Sequence, residues 1–206
     1  MLLLYCMTEP ETTAPEAGVR EAKIRFSDHN GIRLFWSSFT PDPASIKEDA
    51  LVFHRSNSDI FQRQAIIPFR FPTTVTDEAA VHAFLTKHAV EYRQELARLS
   101  DYVQMDVIIS EPREQTVAAS SGTEYLKLRQ SEMHASGTLL KQIQSASPAK
   151  EWKQSRRPGT IKLSALVKRG EENRFRDEVV AVTQQKARIT GPWPPAEFVN
   201  CYPEAE

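Results

Sequence analysis

The chain has 206 residues, of which 40% are hydrophobic and 26% charged, and its formal net charge is -1. This length suits one large or two small domains, and the composition is that of a folded protein rather than a disordered one. Near-zero charge excludes a global attraction to nucleic acid or anionic lipid. Cys6 and Cys201 lie far apart and outside any Cys/His cluster, which indicates free thiols in a reducing compartment. With no secretory signal pattern and no apolar run near the roughly 18 residues of a membrane span, the sequence predicts a cytoplasmic protein without a membrane span.

The first elements in chain order are a strand, a loop and a hairpin. Residues 2–7 form a short apolar run, and residues 8–18, with two prolines and several acidic residues, are typical of a loop. Apolar and polar residues then alternate on both sides of Asn30-Gly31, with apolar positions at Ala22, Ile24, Phe26, Ile32, Leu34 and Trp36. Asn-Gly favours a two-residue hairpin turn because both turn positions need a positive φ.

Two helices and a strand follow. Asp42-Pro43 predicts a helix start, because Asp caps helices and Pro fits their first position. Residues 65–71 predict a strand whose Ile67, Phe69 and Phe71 point to one side. Pro68 places this strand at a sheet edge or beside a bulge, since proline has no N–H to donate. Thr76 predicts the N-cap of a second helix, whose apolar stripe continues to Leu99.

The second half of the chain predicts strands and helices in the order β-α-β-β-α-β. The predicted elements are a strand over 103–109, a polar loop over 111–121, a long helix over 122–145, strands over 151–156 and 161–168 around the turn 157–160, a helix over 171–186 and a strand over 187–190. This order is that of a ferredoxin-like fold. The tail from residue 191 has three prolines within four residues, so it cannot begin as a helix.

These patterns predict an α+β protein with two domains. The N-terminal domain, residues 1–100, would have a mixed or antiparallel sheet with two helices. The ferredoxin-like βαββαβ domain would occupy residues 101–190. The proline-rich tail, residues 191–206, would form a strap that packs between the domains.

Enzyme motifs are absent from the sequence, which has no glycine-rich phosphate loop, no GxSxG and no HExxH. His54, Arg55, Asp59 and Arg63 at near-helical spacing are either an acid–base site or, more simply, an ion-pair network. The basic residues at 150, 153, 156 and 157 either contact phosphate or surround a solvated turn. We favour the simpler interpretation in both cases. The sequence therefore predicts no catalytic residue, no cofactor, no metal and no nucleic-acid partner.

Three segments together resemble the gas vesicle F/L protein family. The first is Phe53-His54-Arg55 on a helix, followed by IIPFRFPTTV, where Pro72 replaces a glycine of the family pattern. The second is the helix ending at Leu99 and the strand after it, with Asp101-Tyr102 where a glycine is usual. The third is ITGPWPPAEFV near the C terminus, whose GPWPP is the most specific element. GTEYL at 122–126 is also similar to the family's helix start.

This resemblance implies two α+β domains and no catalytic residues. It implies a minor structural component of cytoplasmic gas vesicles, or an assembly factor, that binds the small hydrophobic shell protein and other vesicle proteins. Such a partner must offer apolar contact area or an exposed sheet edge. The candidate partner-contact residues are His54, Arg55, Pro68, Phe69, Arg70, Phe71, Thr73, Gly191, Pro192, Trp193, Pro194, Pro195 and Phe198.

Several interpretations stay open at this stage. Trp193, between prolines, either clasps the two domains or anchors a partner, since tryptophan is enriched at binding hot spots. Arg70 is expected to pair with a carboxylate or with carbonyls of the tail. The alternative function is a ferredoxin-like small-molecule-binding or enzymatic protein that shares only the scaffold.

Overall fold

A computed structural model describes residues 1–110, 137–184 and 187–201. These residues form two compact units. The first consists of Met1–Tyr102 with the C-terminal residues from Trp193 onward, and the second is Val103–Pro192. The chain has the mixed α+β content that the sequence predicted.

The first unit is an antiparallel sheet with two helices. Its strands are β1 (Leu2–Thr8), β2 (Arg25–His29), β3 (Ile32–Ser38), β4 (Ile67–Pro68) and β5 (Thr74–Val75), and its helices are α1 (Ile46–Phe61) and α2 (Glu78–Leu99). The sheet order is β2-β3-β1-β4, and β5 also pairs with β1. A short 3-10 helix lies at Ala196–Phe198, and Val19–Glu21 form a turn.

The β2–β3 hairpin confirms the Asn30-Gly31 prediction. Both turn residues have positive φ, 47° at Asn30 and 77° at Gly31. The register pairs His29 with Ile32 and Phe26 with Phe35. Because strand side chains alternate, Phe26 and Phe35 lie on one face of the sheet, and their neighbours Ser27 and Trp36 lie on the other.

The two helices cover opposite faces of this sheet. On the face that carries Phe35 and Ser37, the Tyr5 ring stacks on Phe53 of α1 at 5.2 Å, and its hydroxyl lies 3.1 Å from the Ser37 hydroxyl. On the other face, Arg25 lies over the Trp36 ring and pairs with Glu78 at the start of α2. The core therefore consists of two apolar layers, one on each side of the sheet.

Both helices begin later than the sequence predicted. Asp42 accepts a hydrogen bond from the Ala44 N–H at 3.0 Å, which forms a turn, and α1 begins at Ile46. Asp77, not Thr76, caps α2 by accepting from the Ala80 N–H at 2.9 Å. In each case an aspartate accepts a hydrogen bond from a nearby N–H, as aspartate commonly does. The first helix begins about one turn later than predicted, and the cap of the second lies one residue later.

The strand predicted over residues 65–71 is interrupted. β4 and β5 both pair with β1, and between them the Phe69 N–H donates to Tyr5 O and the Leu4 N–H donates to Thr73 O, each at 2.9 Å. The edge position predicted for Pro68 is confirmed, because β4 ends the sheet.

The shared direction predicted for Phe69 and Phe71 is wrong. The Phe69 ring contacts Phe84 of α2 at 5.7 Å, and the Phe71 ring contacts Phe53 of α1 at 5.3 Å. The two rings enter different apolar layers because the chain leaves strand geometry after Pro68, so that strict alternation no longer applies.

The second unit follows the predicted βαββαβ order over its described residues. Its elements are β6 (Tyr102–Ser110), α3 (helical over the described residues 137–146), β7 (Ala149–Arg157), β8 (Thr160–Lys168), α4 (Glu172–Thr183) and β9 (Ala187–Trp193), and the sheet order is β7-β8-β6-β9. The predicted loop at 111–121 and the predicted helix start at 122 lie outside the described residues. α4 ends before its predicted limit of 186, since Gln184 adopts a left-handed φ of 49°. β9 continues past its predicted end at 190.

Candidate protein-binding surface

The helical part of the family motif is exposed. His54 and Arg55 lie on the solvent side of α1. The ion-pair network predicted for them is wrong, since within residues 1–110 no ion pair joins either to Asp59 or Arg63. Arg63 instead turns toward the loop before β2 and donates to the Thr13 hydroxyl at 3.4 Å. These groups do not converge into an acid–base site.

The strand part of the motif lies along the sheet edge. Pro68 and Phe69 are buried, Arg70 is exposed, and Phe71 and Thr73 are half-buried. The Thr73 hydroxyl donates to Arg70 O at 2.6 Å, which closes the turn between β4 and β5. In this unit the motif therefore shapes the backbone along β1.

The end of the tail is fastened to α2. Arg98 donates to the Phe198 carbonyl, and Glu95 accepts from the Asn200 N–H at 3.0 Å. Burial opposes ionisation of Glu95, but hydrogen bonds from Arg98 and Asn200 outweigh it and hold the pKa of this carboxyl below its ordinary value. Phe198 is fully buried, whereas Trp193 is 43% exposed.

An open groove of about 690 Å³ runs along β2 in the first unit. One wall is the loop at residues 12–17, and the floor includes Ile24, Phe26 and Phe35. Phe26 is 53% exposed, although Phe35 beside it is buried. The sequence does not reveal this groove, because the loop that forms its wall carries no periodic pattern.

Arg33 connects the hairpin to the loop across this groove. Its guanidinium lies 3.8 Å from the centre of the Phe26 ring and forms two hydrogen bonds to Asp28, at 2.8 and 2.7 Å. A third goes to the Thr12 carbonyl at 2.9 Å. The hydrogen bonds to Asp28 raise the pKa of Arg33. Arg33 therefore fixes one side of Phe26, and its charge is already compensated.

At its C-terminal end, the loop that forms the wall is held against the core by hydrogen bonds and an ion pair. The Tyr5 hydroxyl accepts from the Val19 N–H at 2.9 Å, directly beneath Gly18. Arg20 and Glu21 both have a φ of 57°, a left-handed conformation that costs free energy in residues other than glycine. A forked ion pair from Arg20 to Asp49 on α1, with contacts of 3.1 and 2.8 Å, holds this turn in place.

This ion pair predicts a specific acid sensitivity. Hydrogen bonding from Arg20 lowers the pKa of Asp49 below 3.8, so as the pH falls the unfolded state takes up its proton first. The stabilisation is therefore present above the ordinary pKa and is lost as the pH falls through the lowered one. We expect Asp49→Asn to melt below wild type near about pH 6, and the difference to shrink toward about pH 3.

Thermal melts across this pH range test the prediction. Asp59→Asn is the matched control, since Asp59 lies on the same helix and makes no ion pair within residues 1–110. A constant difference between Asp49→Asn and wild type at every pH would contradict the assignment.

The outer edge of β2 is open. In a two-residue hairpin the residues that flank the turn form a hydrogen-bonded pair, so His29 and Ser27 bond to β3 while Phe26 and Asp28 direct their N–H and C=O groups outward. The loop pairs with the chain only up to Ile24, whose N–H donates to Glu16 O at 3.2 Å. β2 is the end strand of its sheet. An unpaired edge therefore lies directly beside a groove whose floor includes apolar side chains.

Other kinds of site find little support in the described residues. Over residues 1–110, 137–184 and 187–201, no group of three or more His, Cys, Asp or Glu residues is placed to hold a metal ion. None of the helices in that part of the chain is long and apolar enough to cross a membrane. The basic residues Lys150, Lys153, Arg156 and Arg157 are exposed on β7 at the edge of the second sheet.

Comparison with known proteins finds a matching family model and crystal structures with a similar fold. The family model described as gas vesicle synthesis protein GvpL/GvpF matches residues 1–200. The crystal structure of gas vesicle protein GvpF from Microcystis aeruginosa is similar over 97% of this chain and 99% of that one, with 14% identity and a TM-score of 0.77. GvpF from Anabaena sp. PCC7120 is similar over 100% of this chain and 98% of that one, with 15% identity and a TM-score of 0.76. No curated protein sequence matches significantly.

Proposed function

The chain belongs to the gas vesicle GvpL/GvpF family, and on this premise we propose that it is a non-catalytic accessory protein of gas vesicle formation. In this role it binds the hydrophobic shell protein and other vesicle proteins in the cytoplasm, as an assembly factor or a minor structural component. The observation that carries the proposal is the family match, which extends over residues 1–200. The alternative, an enzyme or small-molecule-binding protein, has no comparable observation in its favour.

The first unit supports a binding role. A very apolar protein must be kept from aggregating before it is assembled, and a binding partner does this by covering apolar surface or strand edges. The edge of β2 and its groove offer both kinds of contact within one unit. We also infer a ferredoxin-like second domain, which the βαββαβ order of β6 to β9 supports. The position of the tail between the domains stays a prediction.

Deleting the gene tests this function in cells. We expect the deletion strain to form no gas vesicles, or few and misshapen ones, because the shell protein lacks a partner during assembly. Electron microscopy and flotation measure this, and the wild-type gene on a plasmid should restore both. Normal flotation with normal vesicle shape in the deletion strain would count against the proposal.

Binding is tested by retention of vesicle proteins on the tagged, full-length chain. We expect the shell protein to be retained when the vesicle proteins are co-expressed, and retention of none of them would contradict the proposed function. Trp193→Ala in the same assay separates the two interpretations of the tail. Reduced retention indicates a partner contact, and unchanged retention indicates internal packing.

A further inference from the structure

We propose that β2 and the groove beside it bind an extended, uncharged, apolar segment of a vesicle protein, which adds to the sheet as a further strand. This inference rests on the proposed function and specifies the surface and the chemistry of the segment that it takes. Strand addition of this kind draws affinity from main-chain hydrogen bonds and specificity from pockets for alternate side chains. Both features occur at β2.

The backbone supplies the main-chain part. The outward N–H and C=O groups of Phe26 and Asp28 belong to alternate residues, so they repeat at the spacing, about 6.8 Å, at which an antiparallel strand presents its own groups. The wall contact from Ile24 to Glu16 ends immediately before them. The incoming segment would therefore pair with β2 immediately after the position at which the protein's own loop stops pairing with the chain.

The side chains supply the specificity. Phe26 and Phe35 point from β2 and β3 toward the groove, with ring centroids 6.3 Å apart. A strand paired with β2 directs every second side chain to this same face. Apolar side chains at alternate positions of the segment would pack on the open face of Phe26, whose other face is held by Arg33.

The charges around the groove select against a charged segment. Four charged side chains line it, and they comprise two acids and two bases: Glu16, Glu21, Lys23 and Arg33. They sum to zero, and Asp28, which pairs with Arg33 from outside the lining, brings the local sum to −1. A charged side chain that packs on the floor against Phe26 and Phe35 would lose water, which costs free energy, and a net charge this small offers it little long-range attraction.

A second copy of this chain fits the edge less well. Because the loop pairs with the chain up to Ile24, two β2 strands could align only over residues 25–29. Pairing over so few residues buries far less than the roughly 1,200–2,000 Å² typical of stable interfaces. A segment from a smaller, more apolar protein can enter the groove as well as pair with the edge.

The inference is tested on the full-length chain with co-expressed shell protein as the probe. Phe26→Lys should reduce its retention about tenfold or more, because it removes the ring and puts a charge where an apolar side chain would pack. Leu51→Lys is the matched control, since Leu51 is 66% exposed on α1 and lies outside the groove. It should retain the shell protein as wild type does. Equal melting temperatures of the variants and wild type confirm that the fold is intact.

A second pair of variants tests the main-chain bonds. Asp28→Pro removes one outward N–H, whereas Asp28→Ala keeps it, and both lose the ion pair to Arg33. We expect retention by Asp28→Pro to fall several-fold below that by Asp28→Ala. Amide exchange at Phe26 and Asp28 should also slow by tenfold or more in the complex.

The outcomes separate the two levels of the proposal. If wild type retains the shell protein and Phe26→Lys retains it equally, the groove inference is overturned while the proposed function stands. If wild type retains no vesicle protein, the proposed function itself fails. Protection of Phe26 and Asp28 amides in the chain alone at high concentration would identify a second copy as the occupant and overturn the inference.

Discussion

Gly18→Ala should destabilise the first unit by about 2–3 kcal/mol, because the added methyl has no space. A Cβ at this position would lie 2.2 Å from the Tyr5 hydroxyl oxygen and 2.9 Å from Cζ of the same ring. The ring cannot move away easily, since it stacks on Phe53 and its hydroxyl is bonded to Ser37 and to the Val19 N–H. The loop must shift instead, and with it the wall of the groove.

Chemical denaturation of wild type and variant measures this loss. Gly137→Ala is the control for an added methyl, because nothing lies within 4 Å of its Cβ position and the residue is helical. It should be neutral or slightly stabilising, since alanine favours helix over glycine by about 0.5–1 kcal/mol. An equally small effect of Gly18→Ala would show that the loop does not depend on this contact.

A double variant locates the cause. Tyr5→Phe alone should cost about 1–3 kcal/mol, because it leaves the buried Val19 N–H without its acceptor. Combined with Gly18→Ala it also removes the clashing oxygen, so the two effects should sum to more than the double variant loses. Strict additivity would mean that the methyl added by Gly18→Ala meets something other than the Tyr5 hydroxyl. Gly18→Ala should also weaken retention of the shell protein, since the displaced loop borders the proposed docking groove.

The sequence predicted those parts of the fold whose chemistry is local. The Asn30-Gly31 turn needs only two residues with positive φ, and the edge position of Pro68 needs only its missing N–H. The two helix starts were less accurate: Asp42 makes a turn before α1, and Asp77 caps α2 in place of the predicted Thr76. Signals confined to a few neighbouring residues are little altered by the rest of the fold.

The candidate binding surface depends on contacts that no local pattern shows. The wall of the groove is fixed by the Tyr5 hydroxyl, 14 residues from Val19, and by the ion pair from Arg20 to Asp49, 29 residues away. In each case the two partners lie in different segments of the chain, so no helical or strand period within one element connects them. The sequence could therefore predict that these residues form a loop. It could not predict that the loop forms a wall of the groove along β2.

Phe26 shows the same limit at a single residue. The alternation of residues 22–27 correctly indicates that Ser27 and Phe26 lie on opposite faces, and it favours burial of the apolar one. The structure reverses this, with Ser27 at 8% and Phe26 at 53% exposure. Alternation shows which residues share a face, but whether that face is covered at an edge strand depends on distant elements. Only the folded structure shows that this phenylalanine is exposed at the edge of the sheet.

Gly191→Ala is expected to destabilise the second unit by about 3 kcal/mol or more. Gly191 is the first residue of the GPWPP motif and has a φ of 116°, which residues with a Cβ rarely adopt. A Cβ there would lie 2.7 Å from the Gln104 carbonyl oxygen and 3.0 Å from the Met105 sulfur. The carbonyl belongs to the backbone of β6 and cannot rotate away as a flexible side chain does.

The expected loss has two separable causes, and the chain provides a control for one of them. Gly170 also has a positive φ, 90°, but nothing lies within 4 Å of its Cβ position. Gly170→Ala should therefore show only the conformational cost, about 1–2 kcal/mol, while Gly191→Ala adds the clash with β6. Amide exchange should show the additional loss in β6 and β9, with β1 to β3 unchanged.

Comparable losses in the two variants would mean that Gly191 is needed only for its backbone conformation. A larger loss at Gly191 would mean that the motif begins with glycine because β9 passes the backbone of β6 too closely for any side chain. This gives the glycine of the tail motif a structural reason within the second unit. It also separates that residue from Trp193, which is 43% exposed and whose role is tested by retention of vesicle proteins on Trp193→Ala.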